Sequence, residues 1–264
     1  LGEVGLVNIS AMDWGGAFCL CPNCRELTKK YKTSGGPLFD YLIELCNQIK
    51  APFPKVKIST LAYRKKQSEV PPKIKGKLPK NLFIIFAPID DDLSKDWTAP
   101  RNRSTYQNLQ QWCRIAENVM VWYYPHIYNW GAPFLAMDRM TTDIKLMKKA
   151  GVTGVFFQHT VGLQYGYNFS EMMPYIIANL YFDTNSNVDA LVCEFTDAYY
   201  GNAASLVREY AADLQLQCRR IPYRLHEASA EGMLPYLTPK WLMRWNAKFD
   251  EMENLCADQP DHLA

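Results

Sequence analysis

The sequence carries almost no net charge: 29 Lys and Arg stand against 27 Asp and Glu, a balance of +2. Such a surface has no strong field for nucleic acid or for an anionic membrane. Basic residues do gather between Arg64 and Lys80, but Pro71, Pro72 and Gly76 interrupt them. That stretch reads as a solvated loop rather than a phosphate-binding patch. No apolar run is long enough to cross a bilayer, so no membrane span is assigned. There is no internal repeat and no low-complexity segment. No Gly-rich phosphate loop follows any strand-like segment, which removes the main support for a nucleotide-binding sheet.

What is present suits a large buried core, with 48% hydrophobic and 13% aromatic residues. Strands are expected at Val4–Met12, Val56–Tyr63, Leu82–Ala87, Val119–Tyr124 and Val152–Phe157. Helices are expected between them at Leu38–Ile49, Tyr106–Glu117 and Thr141–Ala150, the last closed by Gly151. Apolar runs alternating with helices imply parallel strands buried on both faces. Five such strands fit either a doubly wound sheet or the C-terminal half of a (β/α)8 barrel. The missing phosphate loop favours the α/β half-barrel, over residues 1–165. A complete barrel needs roughly 250 residues, so three further strands are expected upstream of Leu1. By itself the piece is expected to aggregate on its unpaired edges and to lack activity. Beyond it, residues 166–264 read as a helical region, with helices at Phe169–Phe182, Val188–Tyr200, Ala203–Arg220 and Pro239–Cys256. Gly201 falls at a helix C-terminus, and Thr238-Pro239 at a helix start.

In parallel α/β folds the chemistry lies beyond the carboxyl ends of the strands. Those positions hold Asp13 and Trp14, then Tyr63, then Asp90 with Asp91 and Asp92, then Trp122, Tyr123, Tyr124 and His126, then Gln158 and His159. Aromatic rings cover the C–H faces of sugars, and Asp, Gln, His and Tyr bond their hydroxyl rim. Glycosidic cleavage also needs an acid near the leaving oxygen. Asp13, with an apolar strand behind it, is the candidate catalytic carboxylate, and the other named strand-end residues are candidates for binding a glycan. Each has a plainer role open to it. Asp13 suits a turn before Gly15-Gly16, and Asp90–Asp92 suit caps. Trp122 and Tyr124 face the helices if strand parity turns them outward. His126, Gln158 and His159 suit ordinary rim positions.

Eight cysteines include one cluster, Cys19-x-Cys21-x-x-Cys24. A disulfide or buried thiols tying down a loop is the first reading. A structural metal is the second, its fourth ligand being Cys46 or a nearby His or Asp. No metal or other cofactor is assigned on this pattern alone.

The stretch from Asp13 through Phe18 to the three cysteines resembles a known bacterial family, the domain of unknown function 4838. So do Leu61-Ala62-Tyr63, Asn179-Leu180-Tyr181-Phe182-Asp183, Glu194-Phe195 and Tyr199-Tyr200-Gly201-Asn202-Ala203-Ala204. The likeness runs from Val7 to about Arg220. That family overlaps glycoside hydrolase family 163 and is similar in architecture to α-glucuronidases and β-hexosaminidases. The resemblance implies a (β/α)8 barrel with helices after the last strand, in an extracytoplasmic enzyme acting on complex glycans. Endo-β-N-acetylglucosaminidases that use the substrate's acetamido group as nucleophile are the expected type, with α-glucuronidase-like hydrolysis and non-catalytic glycan binding as alternatives. Asp13 would then protonate the leaving oxygen or orient the acetamide, and Trp122 with Tyr123 or Tyr124 would wall the acetamide pocket. The adjacent Asp-Glu pair of related β-hexosaminidases is missing, because Trp14 follows Asp13. The acid is then expected upstream, unless this member is inactive or takes another sugar.

Overall fold

Five parallel strands lie side by side in chain order: β1 (Leu6–Asn8), β2 (Lys57–Tyr63), β3 (Leu82–Ala87), β4 (Asn118–Tyr123) and β5 (Gly154–Phe157). The computed structural model describes residues 5–13, 18–125, 127, 132–158, 169–226, 229 and 234–259. Unbroken chain order means that every crossover steps in the same direction. A doubly wound sheet reverses at a switch point, and this sheet does not. The architecture is therefore half of an α/β barrel, followed by a helical region. No helix among the described residues is long and apolar enough to span a membrane.

The connections are α1 (Pro22–Tyr31) and α2 (Gly36–Ile49), a π-helical turn at Arg64–Ser68, α3 (Arg103–Ile115) and α4 (Met137–Ala150). Helix α1 was not expected. It starts on Pro22, whose fixed φ suits a first turn, and stops at Lys32, which is left-handed with φ 54°. At Gly36 any Cβ would sit 2.5 Å from the Leu27 carbonyl oxygen, so glycine is required where α1 meets α2. Gly151, at φ 92°, closes α4 as expected.

The sheet has one fully covered face. The rows Thr60–Ile84–Val119 and Ala62–Phe86–Val121 are buried, whereas Leu61, Ile85, Met120 and Gly154 are only half-buried. Burial on both faces was expected for all five strands; it fails on one face of the central strands and most fully at the two edges. β1 is three residues long and exposed throughout, and Phe156 of β5 is exposed. Each edge strand has one neighbour where a central strand has two. The expectation of a solvated loop over Arg64–Lys80 also fails in part. Gln67, Ser68, Glu69, Pro71, Pro72 and Leu78 are all buried. Trp112 of α3 holds this segment down by donating its indole N–H to the Glu69 carbonyl at 2.7 Å.

The chain divides into two compact units: residues 1–91, 97–124 and 146–158 around the sheet, and 92–96, 125–145 and 159–264 around the later helices. The second contains α5 (Met172–Phe182), α6 (Val188–Tyr200), α7 (Ala204–Arg219) and α8 (Pro239–Leu255). Thr238 caps α8 by accepting from the Trp241 backbone N–H at 3.2 Å, ahead of Pro239. Asp213 of α7 accepts the indole N–H groups of Trp241 and Trp245 at 2.9 and 2.8 Å.

The two sheet faces predict unequal responses. Phe86→Ala should lower the unfolding free energy by about 3–5 kcal/mol, the usual range for emptying a buried Phe site. Phe83→Ala, on the half-buried face, should cost less than half as much. Urea unfolding of the two variants measures the difference, and equal losses would contradict the assigned faces.

Candidate functional site

Strand β2 ends at Tyr63, and the chain turns there through Arg64, which is left-handed with φ 51°. That conformation costs about a kcal/mol or more for a non-glycine residue. The π-helical turn folds back on the strand end. Ser68 Oγ accepts from the Tyr63 backbone N–H at 3.1 Å and donates to the Leu61 carbonyl at 2.8 Å. Arg64 therefore lies over the Tyr63 ring, 4.9 Å from its centroid.

Asp13 reaches this corner because pairing continues past the end of β1. Ile9 N–H bonds the Ser59 carbonyl at 2.8 Å, and Ser10 Oγ accepts from Leu61 N–H at 2.9 Å. Tyr63 Oη donates to Asp13 Oδ1 at 2.9 Å, and Arg64 Nη2 lies 3.4 Å from the same oxygen. The side chain is 74% exposed, so the apolar surroundings expected for Asp13 are absent. In both protein contacts it is an acceptor.

The three aspartates after β3 separate into three roles. Asp90 Oδ2 accepts from the Lys65 backbone N–H at 2.7 Å, which fixes the π-helical turn. Asp91 is fully buried and accepts from Trp97 Nε1 at 2.6 Å and Thr105 Oγ1 at 2.5 Å, with Lys65 Nζ 4.0 Å away. Asp92 shapes a turn, accepting from Ser94 N–H and Oγ at 3.0 and 2.7 Å.

A fourth carboxyl, Glu69, was not foreseen. It is fully buried; Asn108 donates to its Oε1 at 3.0 Å, while its Oε2 has no hydrogen-bond partner among the described residues. Burial, and then the charge of Asp91, push its pKa up to about 8. The only sequence signal for it was a Glu ahead of Val70-Pro71-Pro72, close behind a strand end.

The other candidates fall on different faces. Residue pairs two apart along a strand share a face. Tyr63, Trp122 and Phe156 therefore follow the half-buried row of Leu61, Met120 and Gly154. Trp122 donates its indole N–H to Gln158 Oε1 at 2.6 Å and packs edge-on to Phe156 at 4.7 Å. Tyr123 points the opposite way, fully buried against Trp97 and Phe157 at 5.8 Å from each. Parity thus removes Tyr123 from any sugar pocket. Tyr124 is buried as well, at 6% exposure. Trp14, His126 and His159 lie outside the described residues.

The cysteine cluster is neither a disulfide nor a set of buried thiols. Cys19 and Cys21 are exposed, Cys24 is half-buried, and all three are free. Their sulfur atoms lie within 4.8 Å of one another. The Cys21 thiol sits below its ordinary pKa, chiefly because the Cys24 backbone N–H bonds to it. The Cys24 thiol is pushed up to about 11, chiefly by its pairing with Cys21. Cys46, one of the fourth ligands open to the metal reading, is buried in α2 and is not part of the group.

The model of a family described as Domain of unknown function (DUF4838) matches residues 2–212. No curated protein and no solved structure matches the chain.

Glu69 makes stability fall with rising pH. Its folded pKa of about 8 exceeds the ordinary 4.5, so the folded protein keeps a proton that the unfolded chain releases. The stabilisation is complete below the lower value and is lost as pH rises through the higher one. Glu69→Gln should flatten the unfolding free energy between these two values. A profile as steep as wild type in urea titrations at several pH values would contradict the assignment.

Proposed function

The chain belongs to the DUF4838 family, and from that premise we propose that it is part of a glycoside hydrolase acting on complex glycans. The observation that carries the reading is Asp13: an exposed carboxylate beyond the first strand, aimed by Tyr63 and Arg64. Active sites of α/β barrels lie on that rim.

Asp13 is an acceptor, and that suits one of its two expected roles better than the other. In substrate-assisted cleavage the acetamido oxygen attacks the anomeric carbon as the bond to the leaving oxygen breaks. The acetamide N–H then needs an acceptor that holds it in line and takes up its growing positive charge. Asp13 Oδ2 is the oxygen offered for that bond, because among the described residues both donors use Oδ1. Trp122 and Phe156, on the face that also carries Tyr63, supply aromatic surface for a sugar ring.

Protonating the leaving oxygen needs a different group. Glu69 keeps its proton to about pH 8 but is fully buried, so it acts on the site through its neighbours and not by touching a glycan. The same observation favours a second reading, a barrel that binds glycans without turning them over.

Asp13→Asn in the full-length protein separates the two readings. With an acetamido-sugar substrate such as an N-glycan, the rate should fall about 10²–10³-fold, the usual cost of removing one preorganised group that stabilises developing charge. An analogue lacking the acetamide should lose little. Less than about tenfold loss on both would remove Asp13 from the reaction. Glycan binding with no turnover by wild type would establish the second reading.

A further inference from the structure

We propose that Cys19, Cys21 and Cys24 form a three-thiolate site for one zinc ion, with water as the fourth ligand. The three sulfurs converge within 4.8 Å although the residues are spread over six positions of chain. Zinc–thiolate bonds of about 2.3 Å in a tetrahedral site set sulfurs about 3.8 Å apart. Closing the group therefore takes at most about 1 Å of movement, within side-chain reach.

Local structure favours metal over the alternatives. Cys21 is the N-cap of α1 and Cys24 lies in its first turn, where backbone N–H groups face outward. That end of a helix favours anions, and the first turn of α1 has no acidic side chain. A disulfide between any two of the sulfurs would leave the third unpaired, whereas one cation engages all three. Solvent reaches the cluster, in contrast to Cys46, Cys218 and Cys256, which are packed in cores. Zinc is a fitting occupant because thiolates are soft ligands and zinc tolerates an open tetrahedral position.

On binding, three S–H bonds break, three Zn–S bonds form, and three protons pass to the buffer. Nothing is oxidised or reduced. The site would pin the connection between β1 and α1, whose other end carries Asp13. It stands apart from the glycosidase reading, and its test reads metal content, not hydrolysis.

The full-length protein, purified without chelator, is loaded with zinc, desalted and analysed for bound metal. About one ion per chain is expected at this site. Cobalt(II) in its place should give thiolate-to-metal charge-transfer absorption. Each Cys→Ser change at the three positions should weaken binding at least about tenfold, since losing even a group that supports a ligand costs that much. Cys193→Ser, an exposed cysteine elsewhere, should leave binding unchanged. Circular dichroism keeps misfolded variants out of the comparison. The proposal fails if unreduced wild-type protein carries a disulfide between any two of the three. It also fails if no zinc is retained, if copper(I) alone is held, or if the triple Ser variant binds zinc as wild type does.

Discussion

The half-barrel depends on one buried charge. Asp91 stands at the end of the central strand with no solvent exposure, and an isolated carboxylate there would cost several kcal/mol. Two donors offset that cost, Trp97 Nε1 and Thr105 Oγ1, with Lys65 at the edge of the group. Satisfying the charge fixes the geometry around it. Thr105 belongs to the first turn of α3, so that helix starts where the carboxylate needs it. Trp97, held by its N–H, stacks on Tyr106 and meets Tyr123 of β4 edge-on. Three segments that are distant in sequence are tied to one side chain.

The same charge adds to what burial does to its neighbour. Burial disfavours the ionised form of Glu69, and the nearby Asp91 raises its pKa further. Asp90 spends its side chain on the Lys65 backbone. Among these four carboxyls at the ends of β1 to β3, Asp13 is the widely exposed one. The interior acids set the scaffold, and the outer one faces solvent.

Much of this was legible in the sequence, and the failures share a cause. Leu82–Ala87 was foreseen residue for residue, because a continuous apolar run between Asn81 and Pro88 has a single sensible reading. Helix α6 and the Thr238 cap were equally plain. Burial of the edge strands was overestimated because periodicity records a residue's own character and not how many neighbours its strand has. Strand alternation puts Trp122 and Tyr123 on opposite faces, and the packing of the sheet decides which of them takes the covered one. Glu69 was invisible for a related reason. Basic residues and prolines around it look like surface, yet Trp112, 43 positions later in the chain, covers it.

A comparison inside the molecule explains why shielded acids here differ in charge. Partial burial opposes ionisation of the half-buried Asp213, but hydrogen bonds from Gln217, Trp245 and Trp241, with Arg244 nearby, outweigh it and hold its carboxyl below the ordinary value. Glu69 is fully buried, receives one side-chain donor among the described residues, Asn108, and faces Asp91 instead of an arginine. Three donors and a cation keep a charge; one donor and an anion do not. Identity as Asp or Glu decides neither case. What decides is how deeply the carboxyl is buried, and then how many N–H and O–H groups and charges the fold sets against that burial. Asp13 differs from both: it is 74% exposed, and its two contacts among the described residues fall on one oxygen.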